Sequence, residues 1–236
     1  MKVFKKIVFS CVLVFLIYSC KKDPNTNIDL HYDYFPLKTG NWIIYNVDSI
    51  VYNDVTEMID TLSYQIKEKV DSSFIDLEGD TAYLLYLYKR NADTLSWSMY
   101  KTRTAKLTNS TAEKVEDNLR FIKLAFPISE DKSWKGNSYF NTSDDDLECY
   151  GSWDYEYSNI HKKIDSLKVS FDSTITILQV DDAPLTNKDY LLEIYAKGVG
   201  IVYKKHICLE KGNDISPSAP YIKGFIYKMT IDTFSN

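Results

Sequence analysis

The chain has 236 residues with 33 acidic against 28 basic side chains, a formal charge of −5. That balance speaks against nucleic acid as a partner, because binding to it needs a basic footprint. The length allows one domain with a real core.

Residues 1–6 carry Lys2, Lys5 and Lys6 and no acid, and the twelve residues 7–18 form an apolar run. This is the layout of a secretory signal peptide. Twelve residues fall short of the roughly 20 that a spanning helix needs. Ile17-Tyr18-Ser19-Cys20 resembles the bacterial lipobox, with an aliphatic residue three before the cysteine and a small one directly before it. Tyr18 is bulkier than the usual residue there, and the competing reading is an ordinary signal peptide with a chance cysteine. The resemblance implies removal of residues 1–19 and lipidation of Cys20 by diacylglycerol, with a further acyl chain on its amine. At about 0.8 kcal/mol per buried CH2, two or three such chains anchor stably. Lys2, Lys5 and Lys6 leave with the signal, so the mature part has 25 basic and 33 acidic side chains. The expected location is the outer membrane, facing the periplasm or the cell surface. Lys21-Lys22-Asp23 only weakly matches the charged tags of surface export.

Residues 20–33 are polar, contain a proline and lack periodicity, so they are expected to be the lipidated cysteine and a flexible tether. The single β-rich domain is expected over 34–236. Alternation with period two marks its strands. Ile43, Tyr45 and Val47 oppose Trp42, Ile44 and Asn46; Leu95, Trp97 and Met99 oppose Ser96 and Ser98; Ile175 and Ile177 oppose Thr174 and Thr176. Turn residues interrupt at Glu78-Gly79-Asp80, Asn91-Ala92-Asp93, Asn109-Ser110 and Lys211-Gly212-Asn213-Asp214. Residues 111–119 fit a short helix or a strand entry equally well. The fold class is therefore all-β and antiparallel, a curved sheet closing toward a barrel or half-barrel, with a two-sheet sandwich as the alternative. Phe35-Pro36-Leu37 before Trp42 is echoed by Phe126-Pro127-Ile128 before Trp134, which suggests two halves built alike.

Several motifs together resemble a group of uncharacterised lipoproteins from Bacteroidota. They are Phe35-Pro36-Leu37-Lys38-Thr39-Gly40-Asn41-Trp42, Ser133-Trp134-Lys135-Gly136-Asn137, Phe171-Asp172-Ser173 with Thr176-Ile177-Leu178-Gln179, and Tyr195-Ala196-Lys197-Gly198-Val199-Gly200 with its flanks. The resemblance implies a β-rich exported body of unknown function, with no catalytic residues. From the residues alone, Gly198 and Gly200 between two strand-like runs read as a sheet corner needing positive φ.

Chemistry-bearing patterns are sparse. There is no G-x-S-x-G, H-E-x-x-H, phosphate loop or dinucleotide fingerprint, so no enzyme activity, metal or cofactor is expected. His161 and His206 would need a carboxylate partner to hold a metal, and Asp144-Asp145-Asp146 with Glu148 lacks a calcium-loop register. Cys149 and Cys208 are an even pair in an oxidising compartment, open to a disulfide or to two separate buried thiols. Trp153, Tyr155 and Tyr157 share a strand face, which fits either core packing or a surface that stacks on a ligand. Ser49, Thr61, Thr81, Thr94, Ser166 and Ser173 each follow an aspartate, resembling the O-glycosylation signal of exported Bacteroidota proteins; turns leading into strands have the same composition.

The functional expectation is a membrane-anchored, non-enzymatic binding or structural module with an unknown protein, glycan or lipid ligand. The alternatives are a carrier of lipid or another hydrophobic ligand in a half-open barrel, and a secreted hydrolase.

Overall fold

A computed structural model describes residues 29–130, 132–144 and 147–235. The segment expected to be a signal peptide, Cys20 and most of the expected tether lie outside them, as do Asp131, Asp145, Asp146 and Asn236. Twelve antiparallel strands form one sheet in the order β6-β5-β4-β3-β2-β1-β12-β11-β10-β9-β8-β7. The first six are β1 (Trp42–Asn53), β2 (Met58–Ile75), β3 (Thr81–Arg90), β4 (Ser98–Leu107), β5 (Thr111–Glu116) and β6 (Leu119–Ala125). The second six are β7 (Ser133–Lys135), β8 (Asp154–Ile164), β9 (Phe171–Asp182), β10 (Asn187–Ala196), β11 (Gly200–Lys211) and β12 (Tyr221–Phe234). Every strand pairs with its chain neighbours except across β6 and β7, and β1 pairs with β12. The result is an up-and-down barrel, nearly closed, with a single seam.

Closure needs local twist, and register shifts supply it at Ile44/Tyr45, Val70/Ser72, Leu87/Tyr88, Ala112/Glu113 and Ile194/Tyr195. The seam is bridged by other means. Ile122 N–H donates to the Gly136 carbonyl at 2.9 Å just after β7, and the Trp134 indole N–H donates to the Ile122 carbonyl at 2.8 Å. The echoed Phe-Pro segments have a topological counterpart: each crosses the same end of the barrel into the first strand of a six-strand meander.

Side chains alternate between inside and outside as the pleat requires. Outside, Asp232, Asn46, Gln65 and Arg90 form a hydrogen-bonded ladder across β12, β1, β2 and β3 at 3.1, 2.7 and 2.8 Å. Asp48, Lys228 and Lys205 follow the same row logic on adjacent strands. Such outward charges would cost several kcal/mol each at the midplane of a bilayer, so the outer wall is built to face water. Inside, Tyr45, Val47, Leu85, Leu87, Ile175, Ile177, Tyr195 and Ile231 are buried.

Two sequence boundaries shift. Packing begins before residue 34: Leu30 and Tyr32 rest on the core, Tyr32 donates to the Asn109 carbonyl at 2.9 Å, and Tyr34 is fully buried. The tether's last residues are therefore a stopper for one barrel end, held by apolar side chains that the polar composition of the segment outweighs in sequence. Leu95 and Trp97 lie in the β3–β4 turn, where Arg90 bonds Asp93 and stacks on Trp97 at 4.4 Å; the strand starts at Ser98. Residues 111–116 are strand, not helix.

Candidate functional site

Three carboxylates and four cations share the inside of the barrel. On β10, Glu193 stands opposite Lys204 of β11 in the ladder and is fully buried. It receives Lys123 of β6 at 2.9 Å, Lys204 at 3.0 Å and the Tyr195 hydroxyl at 2.8 Å. On β2, Glu68 receives Lys114 of β5 on both oxygens at 2.8 Å and Arg103 of β4 at 3.3 Å. Glu116 of β5 lies between the two groups, 3.7 Å from Arg103 and from Lys123.

Burial alone would raise these carboxyls, but the cations reverse its effect. Lys123 and Lys204 hold Glu193 down at about 2, Arg103, Lys123 and Lys204 hold Glu116 well below the carboxylate range, and Lys114 with Arg103 lowers Glu68. Burial would lower Lys204, yet Glu193 and Glu116 push it well up. Lys123 ends below its usual value because burial outweighs its acids. Buried ions of this kind are tolerated only when paired and hydrogen-bonded.

The pair Glu68–Lys114 and the Tyr45 hydroxyl, which donates to the Ile201 carbonyl at 3.0 Å, form a floor across the lumen. Below it, toward the stoppered end, lies a mostly apolar space of about 60 Å³ among Phe35, Leu37, Ile43, Val70, Leu85 and Phe234. Above it a polar cavity of about 200 Å³ runs to the opposite end, past Arg103, Glu116, Lys204 and His206 to a rim at Tyr100, Lys101 and Asp117. His206 is only 4% exposed, and among the described residues its Nε2 has no hydrogen-bond partner. Burial, aided by Lys204, lowers its pKa to about 3, so the ring is neutral. The Arg103 Nε is likewise buried without a partner.

The sequence-level candidates fall elsewhere. Tyr155 and Tyr157 are 0% and 3% exposed and belong to the core, not to a ligand surface. Their hydroxyls bond Asn137 at 2.7 Å and the Ala125 backbone, which is why a phenol rather than an apolar ring stands there. Trp153 packs against the same cluster. Cys149 and Cys208 are joined by a disulfide, their Cα atoms 5.6 Å apart. It pins the 136–153 connection, which carries Tyr150 to the cavity wall, onto β11. His161 sits far in topology from His206: its ring meets His31 edge to face at 4.7 Å and the Tyr34 hydroxyl at 2.8 Å at the stoppered end. Glu148 pairs with Lys223 at 2.6 Å. Thr61, Thr81, Thr94 and Ser166 are exposed, whereas Ser49 is half-buried and the Ser173 hydroxyl is engaged by Tyr34 at 2.7 Å. Gly198 and Gly200 do have positive φ, 76° and 100°, at the β10–β11 corner, where Gly198 N–H donates to the Asp33 carbonyl at 2.8 Å.

Missed in the sequence were the lumen ions. Their trace was there as charged residues at inward positions of apolar runs, such as Glu193 within Leu191-Leu192-Glu193-Ile194-Tyr195 and Lys123 within Phe121-Ile122-Lys123-Leu124. Among the described residues one trio of acids is spaced for a cation, Asp76, Glu78 and Asp80. Lys106 already occupies its centre, at 3.0 Å from Asp76 and 3.1 Å from Asp80 and in contact with Glu78.

No protein-family model matches the chain, and no curated protein does. Among solved structures it is similar to a protein of Bacteroides fragilis NCTC 9343, assigned as exported and given a YmcC-like fold. That likeness has 10% identity and a TM-score of 0.39 over 86% of this chain and 98% of that one. It is also similar to a protein of Parabacteroides distasonis ATCC 8503, assigned as a lipoprotein, with 11% identity and a TM-score of 0.44 over the same shares.

Proposed function

We propose that this protein is a non-enzymatic binding module, exported and held at the outer membrane by lipid on Cys20, that admits a small polar ligand to the middle of its barrel. The observation that carries this reading is where the polar cavity lies: beyond the Glu68–Lys114 floor, on the side away from the N-terminal stopper. Residues 21–28 give the tether a reach of about 25–30 Å when fully extended. The stoppered end is then the membrane-near end, and the cavity mouth faces outward.

The chemistry of the cavity supports binding over turnover. Glu68 and Glu116 are both held ionised, so neither is available as a general acid. His206 is held neutral far from its working range as a base. A hydrophobic carrier is poorly served by this interior, because an acyl chain would have to displace water from paired ions that cannot follow it into an apolar phase. The apolar space beneath the floor, about 60 Å³, has room for only about two waters at roughly 30 Å³ each, too little for an acyl chain.

Two measurements test the proposal. Cell fractionation should place the wild-type protein with membranes and release Cys20→Ala to the soluble fraction; retention of the variant in membranes would remove the anchor. Thermal unfolding of the mature chain against neutral sugars, dicarboxylates and amino acids should reveal a ligand that raises Tm with concentration, since a ligand of the folded state stabilises by RT ln(1 + [L]/Kd). A flat response to the whole panel would remove the binding role, and conversion of any member to product would remove the non-enzymatic one.

A further inference from the structure

The ions inside the barrel form one network with one positive charge in excess. Each cation reaches two of the three acids: Arg103 and Lys114 meet Glu68 and Glu116, while Lys123 and Lys204 meet Glu193 and Glu116. Four positive charges thus face three negative ones. The rim does not alter this balance, because Lys101 and Asp117 pair with each other at 2.5 Å. An unbalanced charge taken out of water is costly, so the lumen favours either an incoming anion or the loss of a proton from one cation. The strain shows on Lys123, where burial outweighs the neighbouring acids and lowers the pKa.

The unused donors lie along the polar cavity. Glu116 stands at the centre of the network, yet its four cations are 3.7–3.9 Å away, beyond hydrogen-bond distance. A lysine carries three N–H donors and a guanidinium five. Among the described residues Lys204 meets Glu193 at 3.0 Å and Arg103 gives one hydrogen bond to Glu68 at 3.3 Å. Both side chains keep open surface, 15% for Lys204 and 21% for Arg103, and both line the cavity. Tyr64, Tyr150, Phe225, Tyr227 and Met229 line the same cavity and give it a largely aromatic wall. About 200 Å³ holds roughly half a dozen waters at about 30 Å³ each, room for a carboxylate head and one short chain or single ring.

We infer that the cavity binds a small organic monocarboxylate, its head against Arg103 and Lys204 and its body against the aromatic wall. This rests on the reading of the lumen as a binding site and names the class of its ligand. One negative charge completes the balance of the network. A neutral ligand leaves the excess in place, a cation adds to it, and a dianion overshoots beside Glu68 and Glu116. Hydrogen bonds from ionised donors to a carboxylate are also roughly twice as strong as neutral ones.

The experiment is calorimetric titration of the mature full-length chain with acetate, butyrate and benzoate, each against its amide, and in parallel with butylammonium, succinate and chloride. At least one monocarboxylate is expected to bind at least tenfold more tightly than its amide, butylammonium, succinate and chloride. Two variants move the charge balance in opposite directions. Lys123→Met removes a positive charge from behind the cavity and is expected to weaken that monocarboxylate at least tenfold. Glu116→Gln adds to the excess and is expected to tighten it at least threefold, whereas a merely structural role for Glu116 would give weaker binding. Circular dichroism and the count of free thiols establish that each variant keeps the barrel and its disulfide. Unchanged affinity in both variants would show that the lumen holds no excess charge and would overturn the inference. Chloride binding as tightly as every carboxylate would reduce the site to a balancing ion and overturn the organic ligand. Absence of binding by the monocarboxylates, with a neutral or zwitterionic member of the wider panel still raising Tm, would overturn the ligand class and leave the lumen a binding site. A flat response to all of these probes would overturn this inference and the binding reading together.

Discussion

The Tyr157 hydroxyl on β8 accepts the N–H of Ala125 and donates to the same residue's carbonyl, both at 2.9 Å. One phenol thereby satisfies the backbone donor and acceptor that an adjoining strand would have paired at the edge of β6. The seam between β6 and β7 is open in its ladder and closed in its hydrogen bonding, as buried backbone groups require.

Tyr157→Phe should therefore be costly for so small a change. It leaves an N–H and a C=O of Ala125, itself 5% exposed, without partners, and each such loss costs about 1–3 kcal/mol. We expect a loss of about 2–4 kcal/mol in urea denaturation. Tyr155→Phe, which gives up one bond to Asn137, should lose about half as much. Equal losses in the two variants would mean that Tyr157 is ordinary core and the seam is closed by something else.

The lumen network yields an asymmetric pair of outcomes. Glu193→Leu leaves Lys123, 2% exposed, with only Glu116 at 3.7 Å as a neighbouring acid among the described residues, and should cost about 3–5 kcal/mol, the usual penalty for orphaning a buried charge. Lys123→Met should cost less, because Glu193 keeps Lys204 at 3.0 Å and Tyr195 at 2.8 Å. The double variant should recover part of the Glu193→Leu loss. Simple additivity of the two single losses in denaturation would refute the coupling.

Much of the fold is legible in the sequence, and the reason is local. Alternation around Tyr45 and Val47, Asp-rich or Gly-containing turns, and the paired glycines at 198 and 200 each state a backbone preference that the barrel honours. The site is less legible because its parts are long-range. Glu68, Glu116 and Glu193 come from three strands and mean nothing until the sheet curls, and a charged residue inside an apolar run looks like noise in a half-solvated strand. The aromatic stripe at Trp153, Tyr155 and Tyr157 is open to two readings in sequence, core or ligand surface, for the related reason that sequence does not say which face of a strand is inside; the structure decides for the core. Residues 29–33 mislead by composition, since two apolar side chains, Leu30 and Tyr32, decide their packing among polar neighbours.

Acid should destabilise the protein through His206 before it reaches the carboxylates. The ring titrates at about 3 when folded, against 6.5 in the unfolded chain. The unfolded state takes up the proton first, so this stability is fully present above pH 6.5 and is lost progressively as pH falls toward 3. At about 1.4 kcal/mol per unit the full contribution is roughly 4–5 kcal/mol. Glu193, Glu116 and Glu68 have depressed values and begin to lose their contributions only below about pH 4.5. His161, also lowered by burial and by His31, adds a smaller part in the same direction. Between pH 6.5 and 5 the slope of stability should thus belong mainly to His206, and His206→Phe should flatten it. An unchanged slope in that window would show that the ring is not held neutral.

Gly224 offers a test of how β11 and β12 are locked together. Its φ is +111°, and a Cβ there would fall 2.0 Å from the carbonyl oxygen of Cys208. Gly224→Ala must then strain its own backbone and push β12 away from the strand that carries the disulfide. Gly40, with φ +96° and open space around a notional Cβ, separates these contributions. Gly40→Ala should lose only the conformational part, about 1–3 kcal/mol, and keep its disulfide. Gly224→Ala should lose more than this and leave a larger fraction of Cys149 and Cys208 reactive to a thiol reagent under native conditions. If the two variants behaved alike in stability and in thiol reactivity, the close approach of Gly224 to Cys208 would be a tolerance of the sheet rather than a constraint on it.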